Sequence, residues 1–205
     1  MPGKVRKRRV SVASRRDRMP PIPNAKQTAA QRAAARELAA TPRGSVIGPF
    51  VPALRSPEFM RRLQRLGEYL RYHSALGPRL TELAILLTAR AWTQQVEWTL
   101  HVKTARAAGL SAATIAALAA GRRPAKLQAD EAVVYDFFIE LESTRSVGDA
   151  TYARACAALG EQCIVDLVGI AGYYSTLAML MNVARTPLPR GRRPQLKSLP
   201  PGNAR

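Results

Sequence analysis

Cysteine is scarce in this sequence, whose 205 residues include only Cys156 and Cys163. The sequence also lacks a set of metal ligands at recognisable spacing, a phosphate-binding glycine loop and a dinucleotide fingerprint. These absences predict that the protein binds no cofactor and no metal. Because the two thiols accompany no secretory signature, we expect a reducing, cytoplasmic location.

A signal peptide is missing as well. Residues 1–18 are basic enough for the first region of such a peptide, but no run of seven or more apolar residues follows them. This absence argues against export by that route. Their Arg- and Ser-rich composition would also suit an organelle transit peptide. We favour a disordered extension, with Met19 as an alternative translation start, because blocks of basic residues are usually disordered.

Acidic residues are few, with 14 Asp and Glu against 32 Lys and Arg, and the net charge is +18. Most of the excess lies at the two ends, since residues 1–18 carry +7 and residues 185–205 carry +6. The remainder keeps only +5, so binding to nucleic acid is expected only through the basic tails. Five prolines and two glycines predict that residues 187–205 form a flexible tail.

Strand patterns are absent, and the chain between the tails shows one helical pattern after another. We therefore predict an all-α fold, and the 47% apolar content suffices for a core. Residues 19–55 should form a helix over 28–40 and then an irregular Pro- and Gly-rich connector. Residues 56–186 should form the main helical domain. Its first helix, ending near Tyr72, is expected to bury an apolar stripe of Phe59, Leu63, Leu66 and Leu70.

The last helical pattern, residues 163–184, is long and apolar enough to raise the question of a membrane span. Asp166 and Asn182 are polar, and Gly169 and Gly172 are small. These four residues favour a helix buried in the core or in a subunit interface. We therefore expect no membrane span.

Polar side chains interrupt the apolar pattern between Arg79 and Ser111. At 100° per residue, Gln94, Glu97, Trp98 and His101 fall on the inward side of their helix. Glu97 and His101 are four residues apart, close enough for the carboxylate to orient the imidazole and raise its pKa. A histidine held in this way suits general acid–base catalysis.

Glu82 lies in the preceding helix, which is apolar almost all the way round and should be interior. If the two helices are antiparallel, Glu82 faces the same pocket as His101. A purely structural alternative is a satisfied core pair of Glu97 and His101, with Glu82 bridged to Arg79 or Arg90.

Three motifs carry a resemblance to a known family. They are ELAIL from Glu82, EWTLH from Glu97 followed by ARAAGLS, and GYY from Gly172. Together they resemble the carboxymuconolactone decarboxylase family, which includes the AhpD-like alkylhydroperoxidases. The resemblance extends over residues 20–189 and implies an AhpD-like helical bundle. It also implies a homo-oligomer, a trimer or hexamer, assembled through long apolar helices.

The AhpD-like branch has the spacing E-x11-C-x2-C-x3-H, and this sequence has Glu82, Gln94, Glu97 and His101 at the matching positions. Both thiols of the pair are therefore missing. Thiol peroxidase turnover needs an attacking thiolate and a resolving sulfur, so that activity is the disfavoured alternative. Cys156 and Cys163 lack the motif's histidine, and we interpret them as small core residues.

The remaining acids and imidazole suit decarboxylation of a small carboxylated lactone or a related metabolite of aromatic degradation. We expect His101 to donate the proton and Glu97 to orient the His101 imidazole. Glu82 should assist or position a water. Gln94 and Trp98 are the expected substrate contacts. Arg79 and Arg90 are the candidate cations for an anionic substrate.

Two other functions stay open. A non-catalytic family member would have its pocket filled by Trp98, Tyr173 and Tyr174. A binding protein would use its basic tails on nucleic acid or an acidic membrane surface, and that binding would weaken steeply with salt.

Overall fold

The computed structural model describes residues 16–198, and within that range the chain forms nine α-helices and no strand. The prediction of an all-α fold is confirmed. The expected extension of residues 1–18 lies outside the described residues except for its last three. The helices are α1 (Ala29–Ala39), α2 (Phe50–Ala53), α3 (Pro57–Tyr72), α4 (Gly77–Ala91), α5 (Gln95–Ala107), α6 (Ala112–Ala119), α7 (Ala129–Thr144), α8 (Asp149–Leu159) and α9 (Glu161–Ala184).

Helix α4 forms the centre of the core. Every residue from Leu80 to Arg90 is buried, as expected for a helix that is apolar almost all the way round. It packs against α5, α7 and α9, and so brings the polar residues of α5 next to Glu82. Helix α5 begins directly after Gln94, whose side-chain oxygen accepts a hydrogen bond from the Val96 N–H.

The buried face of α3 differs from the predicted stripe. Leu63 and Leu70 are buried as expected, but Phe59 is 43% and Leu66 49% exposed. The helix instead turns Met60, Gln64 and Gly67 inward. Gly67 meets Tyr173 of α9 at close range, so its lack of a side chain sets this rotation of the helix.

Helix α9 has the length and composition of a membrane-crossing helix, and 44% of its most apolar window is buried in the structure. It packs against α3, α4 and α8. Its Asp166 is buried and accepts hydrogen bonds from the Tyr69 hydroxyl at 3.0 Å and the Ala75 N–H at 2.8 Å. The inward side of α9 is therefore part of the protein core.

The connector between α1 and α3 is more ordered than predicted, because it contains α2. Residues 42–49, which precede α2 and are called the strap here, run without regular structure. Gly44 and Gly48 in the strap have φ values of +70° and +55°, a region that favours glycine. These two turns allow the strap to fold back towards α5.

Part of the predicted tail from residue 187 contacts the helical domain. Leu196 is 5% exposed, and its carbonyl accepts a hydrogen bond from Gln95 Nε2 at 2.6 Å. The Trp98 indole donates to Gln195 Oε1 at 3.2 Å. The segment is held because the Leu196 side chain is buried, and because the Gln195 side chain and the Leu196 backbone carbonyl accept hydrogen bonds from α5. Residues 199–205 lie outside the described part of the chain.

Candidate functional site

His101 lies between two carboxylates from neighbouring helices. Its Nδ1 is 2.8 Å from Glu82 Oε2, and its Nε2 is 3.1 Å from Glu97 Oε1. The exposed fractions are 3% for Glu82, 2% for Glu97 and 4% for His101. The structure thus brings together the three residues that the sequence suggested as a catalytic set, and we call them the acid–histidine triad.

The triad favours the charged form of its histidine. Burial by itself lowers the pKa of His101, but hydrogen bonds to Glu82 and Glu97, together with their charge, outweigh it. The net shift of the His101 pKa is upward from 6.5. The site therefore retains a bound proton at a pH where an exposed histidine would have lost it.

Both ring nitrogens of His101 are engaged. A neutral imidazole donates from one nitrogen only, so the two contacts need an imidazolium or a protonated carboxyl group. Glu97 Oε2, in contrast, is buried and has no hydrogen-bond partner among residues 16–198. A ligand beside the triad therefore meets an unoccupied carboxyl oxygen of Glu97, whereas direct donation from His101 would break an existing bond.

A cavity of about 240 Å³ adjoins the triad, and we call it the first cavity. The strap, the end of α3 and the inward sides of α5 and α9 form its wall. Its lining residues are Pro42, Arg43, Ser45, Ile47, Pro49, Phe50, Arg71, Tyr72, Glu97, Leu100, His101, Tyr174 and Leu177. Glu82 is not in this wall and reaches the cavity only through the His101 ring.

Two arginines supply positive charge to the first cavity. The Arg43 guanidinium lies 4.9 Å from the centre of the Phe50 ring, and that of Arg71 lies 5.3 Å from the centre of the Tyr72 ring. Neither forms an ion pair with a described carboxylate, and Arg43 Nε is buried without a hydrogen-bond partner among the described residues. These cations are available to an anionic ligand.

Gly67 makes room for one of these arginines. A Cβ at this position would lie 2.0 Å from the Tyr173 hydroxyl oxygen and 2.8 Å from Arg43 Nη2. The same two groups contact each other, with Arg43 Nη2 at 3.5 Å from the Tyr173 hydroxyl. The absence of a side chain at Gly67 therefore positions Arg43.

Two tyrosines of α9 enclose the imidazole. The Tyr174 ring meets the His101 ring edge-to-face with centroids 5.3 Å apart, and Tyr173 packs against Tyr174 in the same manner at 5.1 Å. Burial raises the pKa of Tyr174 well above 10 and that of Tyr173 to about 12. Tyr174 lines the first cavity without filling it, in contrast to the pocket expected of a non-catalytic member.

Arg79 and Arg90, the predicted cations for an anionic substrate, lie away from the first cavity. Arg79 pairs with Asp130 and Glu131, each at 2.6 Å. Arg90 donates to the Ala119 carbonyl at 3.2 Å and to the Thr93 hydroxyl at 3.0 Å. Arg79 is held by α7, and Arg90 is held by α6 and Thr93 although its Nε is buried without a hydrogen-bond partner among the described residues. Neither arginine borders the first cavity or pairs with Glu82.

Gln94 and Trp98, the other predicted substrate contacts, also lie away from the first cavity. The Gln94 amide donates to Asn182 Oδ1 at 2.7 Å, so it ties the start of α5 to α9. The indole of Trp98 is used by the C-terminal segment. Both side chains are inward, as the helical pattern indicated, but inward positions on α5 serve the core as well as the cavity.

Neither Arg43 nor Arg71 was predicted from the sequence. Arg43 lies in the strap, 58 residues before His101, and nothing local reveals that the strap folds over α5. Arg71 is near the end of α3, whose predicted face was incorrect. Tyr174 belongs to the GYY motif, and this was the available signal for the α9 wall.

Metal and thiol chemistry have little support in the described residues. Between residues 16 and 198, no group of three or more His, Cys, Asp and Glu side chains is arranged to hold a metal ion. Cys156 and Cys163 are half-buried free thiols outside the first cavity. Burial raises the pKa of Cys163, so a smaller fraction of this residue is in the reactive thiolate form at a given pH.

Among the comparisons with known proteins, one family model matches part of the chain. Residues 57–137 match the model of the carboxymuconolactone decarboxylase family, a shorter stretch than the resemblance seen in the sequence. Searches of curated proteins and of solved structures gave no match. The matched region contains Arg71 and the whole acid–histidine triad, whereas Arg43 and Tyr174 lie outside it. Over residues 57–137, the chain is therefore similar to the carboxymuconolactone decarboxylase family.

Proposed function

We propose that this protein is an enzyme that decarboxylates a small carboxylated lactone, or a related metabolite of aromatic degradation, by proton transfer. The observation that carries the proposal is the acid–histidine triad beside a cavity with two arginines that have no carboxylate partner. Fixed cations next to a proton carrier suit a carboxylate substrate that loses carbon dioxide and gains a proton.

In this proposal, Arg43 and Arg71 bind the substrate, and not Arg79 and Arg90 as predicted from the sequence. In 4-carboxymuconolactone, one carboxylate leaves and the other stays. One guanidinium of Arg43 and Arg71 would bind the carboxylate that stays. The other would stabilise the negative charge that develops on the lactone carbonyl oxygen. Both guanidinium groups lie over aromatic rings, which holds them in position for these contacts.

The proposed reaction begins when the bond between the carboxylate carbon and the ring breaks. Carbon dioxide leaves, and the electron pair of that bond enters the conjugated lactone as a dienolate. A ring carbon then takes one proton, which water restores to the site afterwards. We assign this proton to the His101 imidazolium, which passes it to the ring carbon through the Glu97 carboxylate, whose Oε2 has no other hydrogen-bond partner among the described residues. Glu82 holds the imidazolium from the other side.

The test is turnover of 4-carboxymuconolactone by the full chain and four variants. Glu97→Gln keeps an oxygen for His101 but cannot pass the proton on, so we expect kcat to fall about 10²–10⁴-fold. His101→Gln should cause a similar loss. Arg71→Gln should reduce kcat/KM by 10-fold or more, since it removes a charge-assisted contact. Arg62→Gln, on the exposed face of α3, is the control and should behave as wild type.

Two results would contradict the proposal. Inactivity of the wild-type protein towards this lactone and related carboxylated lactones would remove the substrate class. Unchanged kcat in both Glu97→Gln and His101→Gln would remove the triad from the chemistry, even if the lactone were a substrate.

A further inference from the structure

A second cavity of about 460 Å³ lies next to the first and is larger. It is closed on one side by the C-terminal segment after α9 and on another by residues near Asp17. Only Asp17 and Thr186 contribute polar side chains to its wall. The complete lining is Asp17, Pro21, Val46, Ile47, Gly48, Val51, Val96, Leu100, Thr186, Pro187, Leu188 and Pro189.

The two cavities share part of their walls. Ile47 of the strap and Leu100 of α5 line both of them. A Cβ at the adjacent Gly48 would lie 3.4 Å from Leu100 Cδ1, so the strap backbone runs close to this leucine. Ile47 is 52% exposed and can change rotamer at low cost. The separation between the cavities therefore consists of two aliphatic side chains, with no buried polar group to displace.

The charged side chains lie at one end of the two adjoining cavities, and the apolar ones lie at the other end. Arg43, Arg71 and Glu97 line the first cavity alone, and the second cavity offers almost only aliphatic surface. A molecule that fits both must be anionic at one end and apolar at the other, because burying a charge against aliphatic side chains is unfavourable.

We propose that the substrate is an amphipathic carboxylic acid whose apolar substituent extends past Ile47 and Leu100 into the second cavity. This inference rests on the proposed function, since it uses the same arginines and triad for the carboxylate end. It narrows the substrate class from small carboxylated lactones and related metabolites to those that carry an aliphatic or aromatic substituent. The second cavity then determines chain-length specificity, with Leu188 and Val51 in its wall.

The experiment is calorimetric titration of the full-length protein with straight-chain saturated carboxylates of four, six, eight and ten carbons. These acids cannot react, so they report binding alone. We expect the affinity to rise by up to about fourfold for each added methylene, which corresponds to burial of apolar surface. Alkyl alcohols of the same lengths should bind at least 10-fold more weakly, because they lack the charge for Arg43 and Arg71.

Two independent variants fill the second cavity without changing the first. Leu188→Trp and Val51→Trp should each abolish the gain with chain length and leave butanoate affinity unchanged. Arg71→Gln should instead weaken every acid by a similar factor. With two filling variants at separate elements, misfolding of one leaves the other as the test.

An affinity that does not increase with chain length in the wild-type protein overturns the inference. So does a gain that persists in both tryptophan variants, or an affinity for the alcohols equal to that for the acids. The proposed function fails separately, if the wild-type protein does not turn over carboxylated lactones or if both triad variants keep an unchanged kcat.

Discussion

His101 keeps its proton because two buried carboxylates oppose the effect of burial. Its folded-state pKa is raised above 6.5, so its hydrogen bonds stabilise the folded protein fully at pH below 6.5. This contribution is lost as the pH rises through the raised folded-state value. The charge of one histidine thus links the stability of the α4–α5 pair to pH.

We therefore predict that wild type loses stability relative to His101→Gln as the pH rises above 6.5. The glutamine variant has no titrating group at this position, so it serves as the reference. Urea unfolding of both proteins from about pH 5.5 to 9 measures the difference. A difference that is constant, or that grows with pH, would show that the carboxylates do not raise the His101 pKa.

Gly67 is the residue where one added methyl group should do most harm. In Gly67→Ala, the new Cβ would overlap the Tyr173 hydroxyl, so α3 and α9 must move apart. We expect the free energy of unfolding to fall by about 1–3 kcal/mol. Turnover should also fall, because Arg43 contacts the same hydroxyl.

The double variant Gly67→Ala with Tyr173→Leu tests this explanation. Leucine ends short of the ring atoms that the new Cβ would meet, so the second change should recover part of the stability lost in the first. Chemical denaturation of the two single variants and the double variant gives the coupling energy. Simple additivity of the two losses would refute the steric explanation.

At the scale of the helix, α9 is attached to the α3–α4 turn through one carboxylate. Asp166 accepts from both Tyr69 and Ala75, and it is 4% exposed. Asp166→Asn would leave one of these two donors facing an amide nitrogen. We predict a loss of about 1–3 kcal/mol in the free energy of unfolding. Tyr69→Phe removes only one hydroxyl, on a residue that is 40% exposed, and should cost less stability than Asp166→Asn. An equal loss in the two variants would contradict the assignment of the Asp166 carboxylate as the link between α9 and the α3–α4 turn.

Element by element, helical periodicity was enough to predict the fold class and the interior position of α4. The spacing of Glu97 and His101 predicted that these two residues meet, because they are an i, i+4 pair. The position of Glu82 beside them depended on how the two helices pack, which the spacing left open. The orientation of α3 was missed because Gly67, not the apolar stripe, decides which side faces α9. The cations were missed because the path of the strap is a tertiary property.

At the scale of the whole molecule, α9 has a second apolar stripe on its outer side. Val165 is 69%, Val168 46%, Met179 43% and Val183 54% exposed, and at 100° per residue these four side chains share one side of the helix. Exposed apolar side chains that share a helix face are typical of subunit interfaces. We propose that this face of α9 forms the interface of the expected trimer or hexamer.

The corresponding prediction concerns molar mass in solution. The variant with Val165→Glu and Val168→Glu should dissociate to a monomer, since it buries two carboxylates if the interface stays closed. Light scattering after size-exclusion chromatography measures the mass, and Ala116→Glu on exposed α6 is the matched control. An unchanged mass for the α9 variant would place the interface elsewhere.

The first cavity is divided between two parts of the chain with different relations to the family. The triad and Arg71 lie within residues 57–137, and the strap, Arg43 and Tyr174 lie outside them. The part of the cavity that carries the proton can therefore stay the same among proteins that match the family, while the part that selects the ligand differs. Two proteins that match this family equally well can thus differ in what they bind, and the strap and the tyrosines of α9 are where their substrates would be distinguished.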